Sequence, residues 1–182
     1  MELELIKKIL AGPLNPVVHN DGTGKLSAVL IIICGKIPTI IMTERPKTMN
    51  HHAGEISFPG GTWNVKDHDL LSTAIRETKE ELGIEVKRES VIGQLKTVTT
   101  LNSGFKIMPF VTIMDVIPEI NPNSEIASIL KIPLIPLLHT KQDDVDPKHK
   151  SIQEMFVFTF NNHVIWGASA RMLRQIHERL VS

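Results

Sequence analysis

The chain has 182 residues, of which 42% are hydrophobic and 22% charged, so it is long and apolar enough to bury the core of a globular domain. Lys and Arg number 20, as do Asp and Glu, and the formal net charge is zero with His counted as neutral. A neutral chain has no overall field that attracts nucleic acid or an anionic membrane. Recognition of phosphate must therefore depend on a local site.

The single cysteine, Cys34, excludes an intramolecular disulfide, and its place in an apolar run predicts a reduced thiol in the core. The first ten residues mix acidic and apolar residues at helical spacing and lack the basic-then-apolar order of a signal peptide. The longest apolar run is far shorter than the roughly 20 residues that a membrane helix needs. We therefore expect a cytoplasmic protein with no membrane partner.

In chain order, the pattern predicts an amphipathic helix over residues 1–10 and a connection rich in Gly, Pro and Asn up to residue 26. Two β-branched runs, 27–34 and 37–42, are separated by Gly35-Lys36 and predict a hairpin. A helical pattern covers residues 68–82, and Gly83 is expected to end it in a left-handed conformation.

The second half of the chain alternates between strand and helix patterns. Strands are predicted at 91–98, 106–117, 155–160 and 164–165, and helices after Ser124, at 133–138 and at 168–180. The polar run 139–153 predicts a surface loop. Strands interleaved with helices in a chain of this size predict an α/β sandwich with a mixed sheet.

The helix predicted over 68–82 carries acidic residues that helix stability alone does not favour. Its inward stripe consists of Leu71, Ala74, Ile75, Thr78 and Leu82. Glu77 faces both Glu80 and Glu81, and each like-charge pair costs roughly 0.2–0.5 kcal/mol. Arg76 can pair with Glu80, but one guanidinium does not neutralise three carboxylates. A divalent cation with oxygen ligands is the natural complement, and a solvated acidic face is the alternative.

The loop before this helix has the sequence Phe58-Pro59-Gly60-Gly61. Its glycines allow close backbone approach, so a carbonyl can complete a metal shell while amides face a phosphate. Alone, Pro-Gly-Gly predicts only a turn. Together with the acidic helix at a fixed distance, it predicts a site for a diphosphate and a metal ion.

Residues 61–84 resemble the Nudix box, G-x5-E-x7-R-E-U-x-E-E-x-G-U. The segment Arg76-Glu77-Thr78-Lys79-Glu80-Glu81-Leu82-Gly83-Ile84 matches its second half, except that Thr78 occupies an aliphatic position. The first half departs from the pattern, because Asp67 replaces the Glu and eight residues instead of seven separate it from Arg76. The departure alters the connection between loop and helix and leaves the role of the first acid open.

A second signature precedes the box. Ile41-Met-Thr-Glu-Arg45 and Gly54-Glu-Ile-Ser-Phe-Pro-Gly-Gly61 are similar to L-L-T-x-R-S-x3-R-x3-G-x3-F-P-G-G, the pattern of coenzyme A diphosphatases in the same superfamily. The spacing is kept, but Asn50 replaces the second Arg and Pro46 the small residue. The resemblance implies an α/β/α Nudix hydrolase domain over 27–182, preceded by the N-terminal helix and connection over 1–26. It also implies hydrolysis of coenzyme A or acyl-CoA to (acyl-)phosphopantetheine and adenosine 3′,5′-bisphosphate.

The resemblance further implies Mg²⁺ or Mn²⁺ as the cofactor. Its expected ligands are Glu77, Glu80, Glu81 and the carbonyl of Gly61. Arg76 is expected to orient the glutamates, and direct contact with the substrate is the alternative. The general base stays open between Glu81, Glu77 and Glu125, the last of which begins the helix predicted after Ser124.

Substrate contacts are expected from Arg45, Lys47, His52, Gly60 and Gly61. Arg45 and Lys47 suit a diphosphate or 3′-phosphate, although ordinary surface cations are the alternative. The resemblance implies a small CoA-like nucleotide as the substrate; we expect no nucleic-acid partner, and a homodimer stays open. Two other functions stay open: hydrolysis of ADP-ribose, a dinucleotide or a nucleotide sugar, and nucleotide sensing without catalysis.

Overall fold

The computed structural model describes residues 1–17, 25–48, 54–100, 103–145 and 155–181, which form a mixed sheet between layers of helices. The sheet contains β1 (Leu26–Cys34), β2 (Thr39–Glu44), β3 (Ile56–Ser57), β4 (Gly60–Thr62), β5 (Val91–Gln94), β6 (Val98–Thr99), β7 (Lys106–Met114) and β8 (Ser128–Pro133). The helices are α1 (Leu3–Leu10), α2 (Leu70–Leu82), α3 (Leu134–Leu138) and α4 (Gly167–Leu180), with a 3-10 turn at Arg88–Ser90. A small antiparallel sheet of β9 (Gln142–Asp143), β10 (Phe156–Phe160) and β11 (His163–Ile165) contacts α3 and α4.

Strand β1 is central because it has partners on both edges. Along one edge it runs parallel to β7 over its whole length. Along the other edge it pairs antiparallel with β4 at Ser27 to Val29 and with β2 at Ile32 to Cys34. Strand β2 also pairs with β3 and β8, while β5 and β6 pair with β7. One edge of β1 is thus shared: β4 pairs with its first half and β2 with its second half.

Strand β1 is buried on both faces of the sheet from Ala28 to Cys34. Its even-numbered residues pack in a cluster with α2, and its odd-numbered residues pack in a second cluster with α1, α3 and α4. A strand covered on both faces has a continuous apolar sequence, as this segment does. The two clusters confirm the predicted α/β sandwich with a mixed sheet.

Cys34 lies in the cluster on the α2 side and is fully buried. Its thiol donates a weak hydrogen bond to the Thr39 carbonyl at 3.6 Å. Burial raises the pKa of the Cys34 thiol to about 11, so the group stays protonated near neutral pH. The predicted place of this thiol in the core is confirmed.

Most predicted elements agree with the structure to within a few residues, but two strands differ. The hairpin turn covers Gly35 to Pro38, with Ile37 74% exposed, so β2 begins at Thr39 rather than at Ile37. The predicted strand 91–98 is divided into β5 and β6. Between them the backbone of Lys96 bonds to the Gln175 side chain of α4, with its N–H donating at 2.8 Å and its carbonyl accepting at 3.0 Å.

The helix predicted after Ser124 is wrong. Ser124 and Glu125 form a turn in which the Glu125 N–H donates to Asn123 Oδ1 at 2.9 Å. The chain then enters β8, where Ser128 lies opposite Glu44 of β2, 84 residues earlier. Pairing with a distant strand outweighs the local helical pattern, because β structure depends on the neighbouring strand. Glu125 is consequently an exposed turn residue.

The polar run 139–153 is only partly the surface loop that its composition predicts. Gln142 and Asp143 form β9, which pairs with the start of β10. The Asp144 N–H continues this pairing by donating to the Met155 carbonyl at 2.9 Å. Residues 146–154 lie outside the described part of the chain, and the loop there stays a prediction.

The N-terminal helix α1 packs on the sheet through Ile6 and Leu10, both fully buried. After α1, the Gly12 N–H donates to the Ile92 carbonyl of β5 at 3.0 Å. A Cβ at Gly93 would collide with the carbonyl oxygen of Leu10 and lie 3.1 Å from the Gly12 nitrogen. The absence of a side chain at Gly93 thus allows α1 to approach β5. None of the helices in the described ranges is long and apolar enough to cross a membrane.

Replacing Gly93 with Ala is expected to push the end of α1 away from β5. We expect a loss of about 1–3 kcal/mol in the free energy of unfolding, measured by urea denaturation, because the added methyl group overpacks a backbone contact. The control is Gly12→Ala, since no described atom lies within 4 Å of a Cβ there. Equal stability of the two variants would show that the close approach of α1 is not required.

Candidate active site

Helix α2 is fixed at both ends by its own sequence. At the start, Asp69 Oδ1 accepts hydrogen bonds from Ser72 N–H at 2.8 Å and Ser72 Oγ at 3.0 Å. Burial alone raises the pKa of Asp69, but hydrogen bonds from Arg88 and Ser72 outweigh burial and hold the pKa well below its usual range. At the other end, Gly83 has a φ of 69° and confirms the predicted left-handed end. The acidic face of α2 is therefore held at a defined position.

The guanidinium of Arg76 joins the acids of the box. Its Nε and Nη2 each donate to the Asp67 carboxylate at 2.9 Å. Its Nη1 donates to Glu77 Oε1 at 2.8 Å and to Glu80 Oε2 at 3.1 Å. The predicted pairing of Arg76 with Glu80 is confirmed, and Arg76 contacts Glu77 as the orienting role requires.

Asp67 takes a defined part in this network despite the altered spacing. Besides Arg76, its Oδ2 accepts hydrogen bonds from Thr73 Oγ1 at 2.9 Å and from the Asn64 N–H at 3.1 Å. The hydrogen bond from Arg76 is the largest effect that lowers the pKa of Asp67. The Asp67 N–H also donates to the Asn64 carbonyl at 2.8 Å, which closes a turn just before Asp67. Asp67 is thus an ionised partner that holds Arg76 in place.

Gly61 lies directly under the Glu77 carboxylate. A Cβ built on Gly61 would lie 2.5 and 2.7 Å from the two Glu77 carboxylate oxygens, so a larger residue there would displace the Glu77 carboxylate. The Gly61 carbonyl accepts a hydrogen bond from Ser27 Oγ at 2.5 Å, a contact between positions 34 residues apart that no local pattern predicts. A carbonyl oxygen has two lone pairs, and the predicted metal contact would have to use the second.

Glu81 is the buried acid of the site, with 5% of its surface exposed. Its Oε2 accepts a hydrogen bond from the Gly60 N–H at 3.0 Å. The pKa of Glu81 is raised to about 7, mainly by burial; the Gly60 hydrogen bond and the charge of Arg45 lower it, and the charges of Glu77 and Glu125 raise it. These electrostatic effects place the charges of Glu77, Glu125 and Arg45 close to Glu81.

The three predicted carboxylate ligands are not gathered around one point. Glu80 is 56% exposed, and its Oε2 lies 3.1 Å from Arg76 Nη1. No group of three or more His, Cys, Asp or Glu side chains within the described residues is arranged to hold a metal ion. The donor chemistry of Glu77 and Glu81 nevertheless suits a hard divalent cation, because both offer the carboxylate oxygens that such ions prefer. Glu80 would have to leave Arg76 to join them.

Of the other predicted substrate contacts, the structure describes Arg45 and Lys47, which lie on the segment between β2 and β3. The Arg45 N–H donates to the Glu55 carbonyl at 3.1 Å, and its own carbonyl accepts from the Gly54 N–H at 3.2 Å. Lys47 is exposed beside Gly54. His52 falls outside the described residues and stays a prediction.

Replacing Asp67 with Asn tests the role of this acid. We expect divalent-ion affinity and turnover to fall about tenfold to a hundredfold, because Arg76 would lose its charged partner and no longer orient Glu77. Mn²⁺ titration followed by electron paramagnetic resonance measures the affinity. The matched control is Asp115→Asn at an exposed site. Wild-type affinity in the Asp67 variant would contradict the positioning role.

The buried Glu81 predicts an unusual pH dependence of stability in the metal-free protein. The Glu81 pKa is 4.5 in the unfolded chain and about 7 in the folded protein. Between pH 4.5 and 7 folding therefore takes up a proton, and the free energy of unfolding falls as the pH rises through this range. Between pH 5 and 8 we expect this effect to lower the free energy of unfolding of the wild-type protein by about 2 kcal/mol. Glu81→Gln has no titrating group at this position and is expected to lack that decrease. Urea denaturation of both proteins across this range measures the difference. Parallel pH profiles would exclude a raised pKa at Glu81.

Comparison with known proteins assigns the family. Residues 24–152 match the NUDIX domain. The chain is 32% identical over 178 residues to the protein named "Uncharacterized Nudix hydrolase NudL" from Yersinia pestis (strain Pestoides F), covering 94% of this chain and 89% of the relative. It is 29% identical over 171 residues to the protein of the same name from Photorhabdus laumondii, covering 92% and 91%.

Solved structures share the fold. The NUDIX domain of Shewanella oneidensis NrtR, complexed with ADP ribose, has a TM-score of 0.60 and 14% identity, covering 87% of this chain and 89% of that one. A MutT/nudix family protein from Enterococcus faecalis has a TM-score of 0.59 and 11% identity, covering 90% of this chain and 63% of that one. The chain belongs to the NUDIX family and is a Nudix hydrolase, an enzyme that acts on a diphosphate substrate.

Proposed function

We propose that this Nudix hydrolase cleaves the diphosphate bond of coenzyme A or an acyl-CoA, giving (acyl-)phosphopantetheine and adenosine 3′,5′-bisphosphate. The similarity of residues 41–61 to the coenzyme A diphosphatase signature supports this substrate. The spacing of that signature is kept throughout, and its last four residues are also the loop that begins the Nudix box. One continuous stretch of chain therefore carries both patterns.

The observation that carries the proposal is the convergence of the two signatures at Glu81. In β2, Thr43 lies opposite Ser57 of β3, and the Arg45 N–H bonds to the Glu55 carbonyl, so both halves of the second signature are paired. The charge of Arg45 acts on Glu81, whose carboxylate is bonded to the Gly60 N–H of the box. A substrate diphosphate at this place would lie between a cation of one signature and the acids of the other.

The residues around Glu81 suit a divalent ion, Mg²⁺ or Mn²⁺. We propose Glu77, Glu81 and the Gly61 carbonyl as its ligands, with Glu80 joining after it leaves Arg76. When bound, the ion supplies charge neutralisation at the diphosphate oxygens and a polarised water. Arg76 keeps the Glu77 carboxylate above Gly61, and Arg45 binds the diphosphate.

Among the three candidate bases, we propose Glu125 as the acid that takes the proton from water. Glu77 and Glu81 are both expected to bind the ion and are then poor bases, because their lone pairs are shared with the metal. Glu125 is exposed, lies in a turn rather than a helix, and is close enough for its charge to raise the pKa of Glu81. A base within reach of the bound water commonly contributes about 10²–10⁴ in rate.

The alternatives are separated by a panel of substrates. Coenzyme A, acetyl-CoA, ADP-ribose, a diadenosine polyphosphate and a nucleotide sugar are each incubated with Mg²⁺, Mn²⁺ or chelator, and products are identified by liquid chromatography with mass spectrometry. We expect adenosine 3′,5′-bisphosphate from coenzyme A or acetyl-CoA, and no product with chelator. Faster cleavage of another nucleotide would replace the proposed substrate. Tight binding with no cleavage of any would indicate a sensor.

Two variants accompany the panel. Glu81→Gln is expected to lower turnover and ion affinity together, because it removes a proposed ligand. Glu125→Gln is expected to lower turnover by about 10²–10⁴ while ion affinity is kept. Loss of ion affinity in Glu125→Gln would make Glu125 a ligand instead of a base, and wild-type turnover would exclude it from both roles.

A further inference from the structure

A second group of polar residues lines an open cavity of about 450 Å³ outside the candidate active site. The cavity lies where α3 and α4 end and β9 begins, and its walls are formed by Leu138, His139, Lys141, Gln142, Asp143 and His177. None of these residues belongs to the Nudix box, to the second signature or to the group around Glu81. The chemistry of this cavity is therefore not explained by hydrolysis.

Lys141 brings a positive charge to the cavity wall. Its Nζ lies 4.7 Å from the centre of the Phe156 ring, and the guanidinium of Arg174 lies 4.6 Å from the centre of the same ring. These cation–π contacts restrict the position of both cations. Lys141 forms no salt bridge with any residue that the structure describes. Its charge therefore lacks a carboxylate partner among them.

His177 brings a ring nitrogen to the same wall. Its Nδ1 is buried and has no hydrogen-bond partner among the described residues. An imidazolium would place an N–H at Nδ1 without an acceptor, which is costly, so a neutral ring is favoured. Burial lowers the pKa of His177, as do the charges of Lys141 and His139, while Glu178 raises it. With Nδ1 enclosed, Nε2 is the nitrogen able to donate into the cavity.

We propose that this cavity binds the phosphate group of a small molecule. Lys141 supplies the charge, and the rings of His139 and His177 and the Gln142 amide supply hydrogen-bond donors. Asp143 is an exposed carboxylate on the same wall, where the Lys141 ammonium balances its charge and the two rings and the amide remain as donors. A metal ion fits less well, because the Lys141 ammonium repels it and the described His and Asp side chains form no metal-holding group.

Titration with inorganic phosphate tests the proposal on the full-length protein. The ring resonances of His139 and His177 are followed by long-range ¹H–¹⁵N nuclear magnetic resonance, with chelator present and ionic strength held constant with chloride. We expect saturable shifts of both rings. Lys141→Gln is expected to weaken binding about tenfold, and Lys141→Arg to keep it, because charge is what the phosphate recognises.

The control is Lys87→Gln, which removes an equal charge from an exposed position after α2. A second titration with ADP separates the sources of the phosphate. Saturation at lower ADP than phosphate concentration assigns the cavity to a nucleotide, whereas saturation by phosphate alone assigns it to the free ion. Shifts that do not saturate with either ligand, or that are unchanged in Lys141→Gln, would overturn the proposal. None of these readouts depends on hydrolysis, so the outcome is independent of the proposed function.

Discussion

The contacts of the Arg76 guanidinium are the constraint on which the catalytic region depends. A helix with Glu77, Glu80 and Glu81 on neighbouring positions repels itself, and Arg76 offsets that repulsion by bonding to two of the three acids. Asp67 holds the other edge of the guanidinium, so the group cannot turn away. The cation that stabilises the helix is thus also the group that positions Glu77.

The electrostatic strain that Arg76 does not remove is concentrated at Glu81. That carboxylate is buried and accepts one hydrogen bond from the Gly60 N–H, while the charges of Glu77 and Glu125 act against its ionisation. Its pKa is raised mainly because burial removes water from the carboxylate, and a perturbed pKa of this kind is common at functional sites. A bound cation would relieve this strain. The divalent cation proposed above would also neutralise part of the negative charge of a diphosphate substrate at the same place.

The sheet explains how distant parts of the chain meet there. The edge of β1 is shared between β2 and β4, which brings the loop before α2 next to the end of β2. Strand β8 pairs with the full length of β2, so the turn that precedes it carries Glu125 to the same end of the sheet. The opposite layer, with α3 and α4, is left to form the cavity around Lys141, which uses none of these residues.

Local spacing was enough to determine the helix ended by Gly83, the pairing of Arg76 with Glu80, the buried strand before Cys34 and the family resemblance, because each depends on residues a few positions apart. Tertiary structure alone decided the rest. The bond from Ser27 to Gly61 joins positions 34 residues apart, and the strand that follows the turn at Glu125 pairs Ser128 with Glu44, 84 residues earlier. Their positions follow from long-range pairing and burial, and short-range patterns do not encode either.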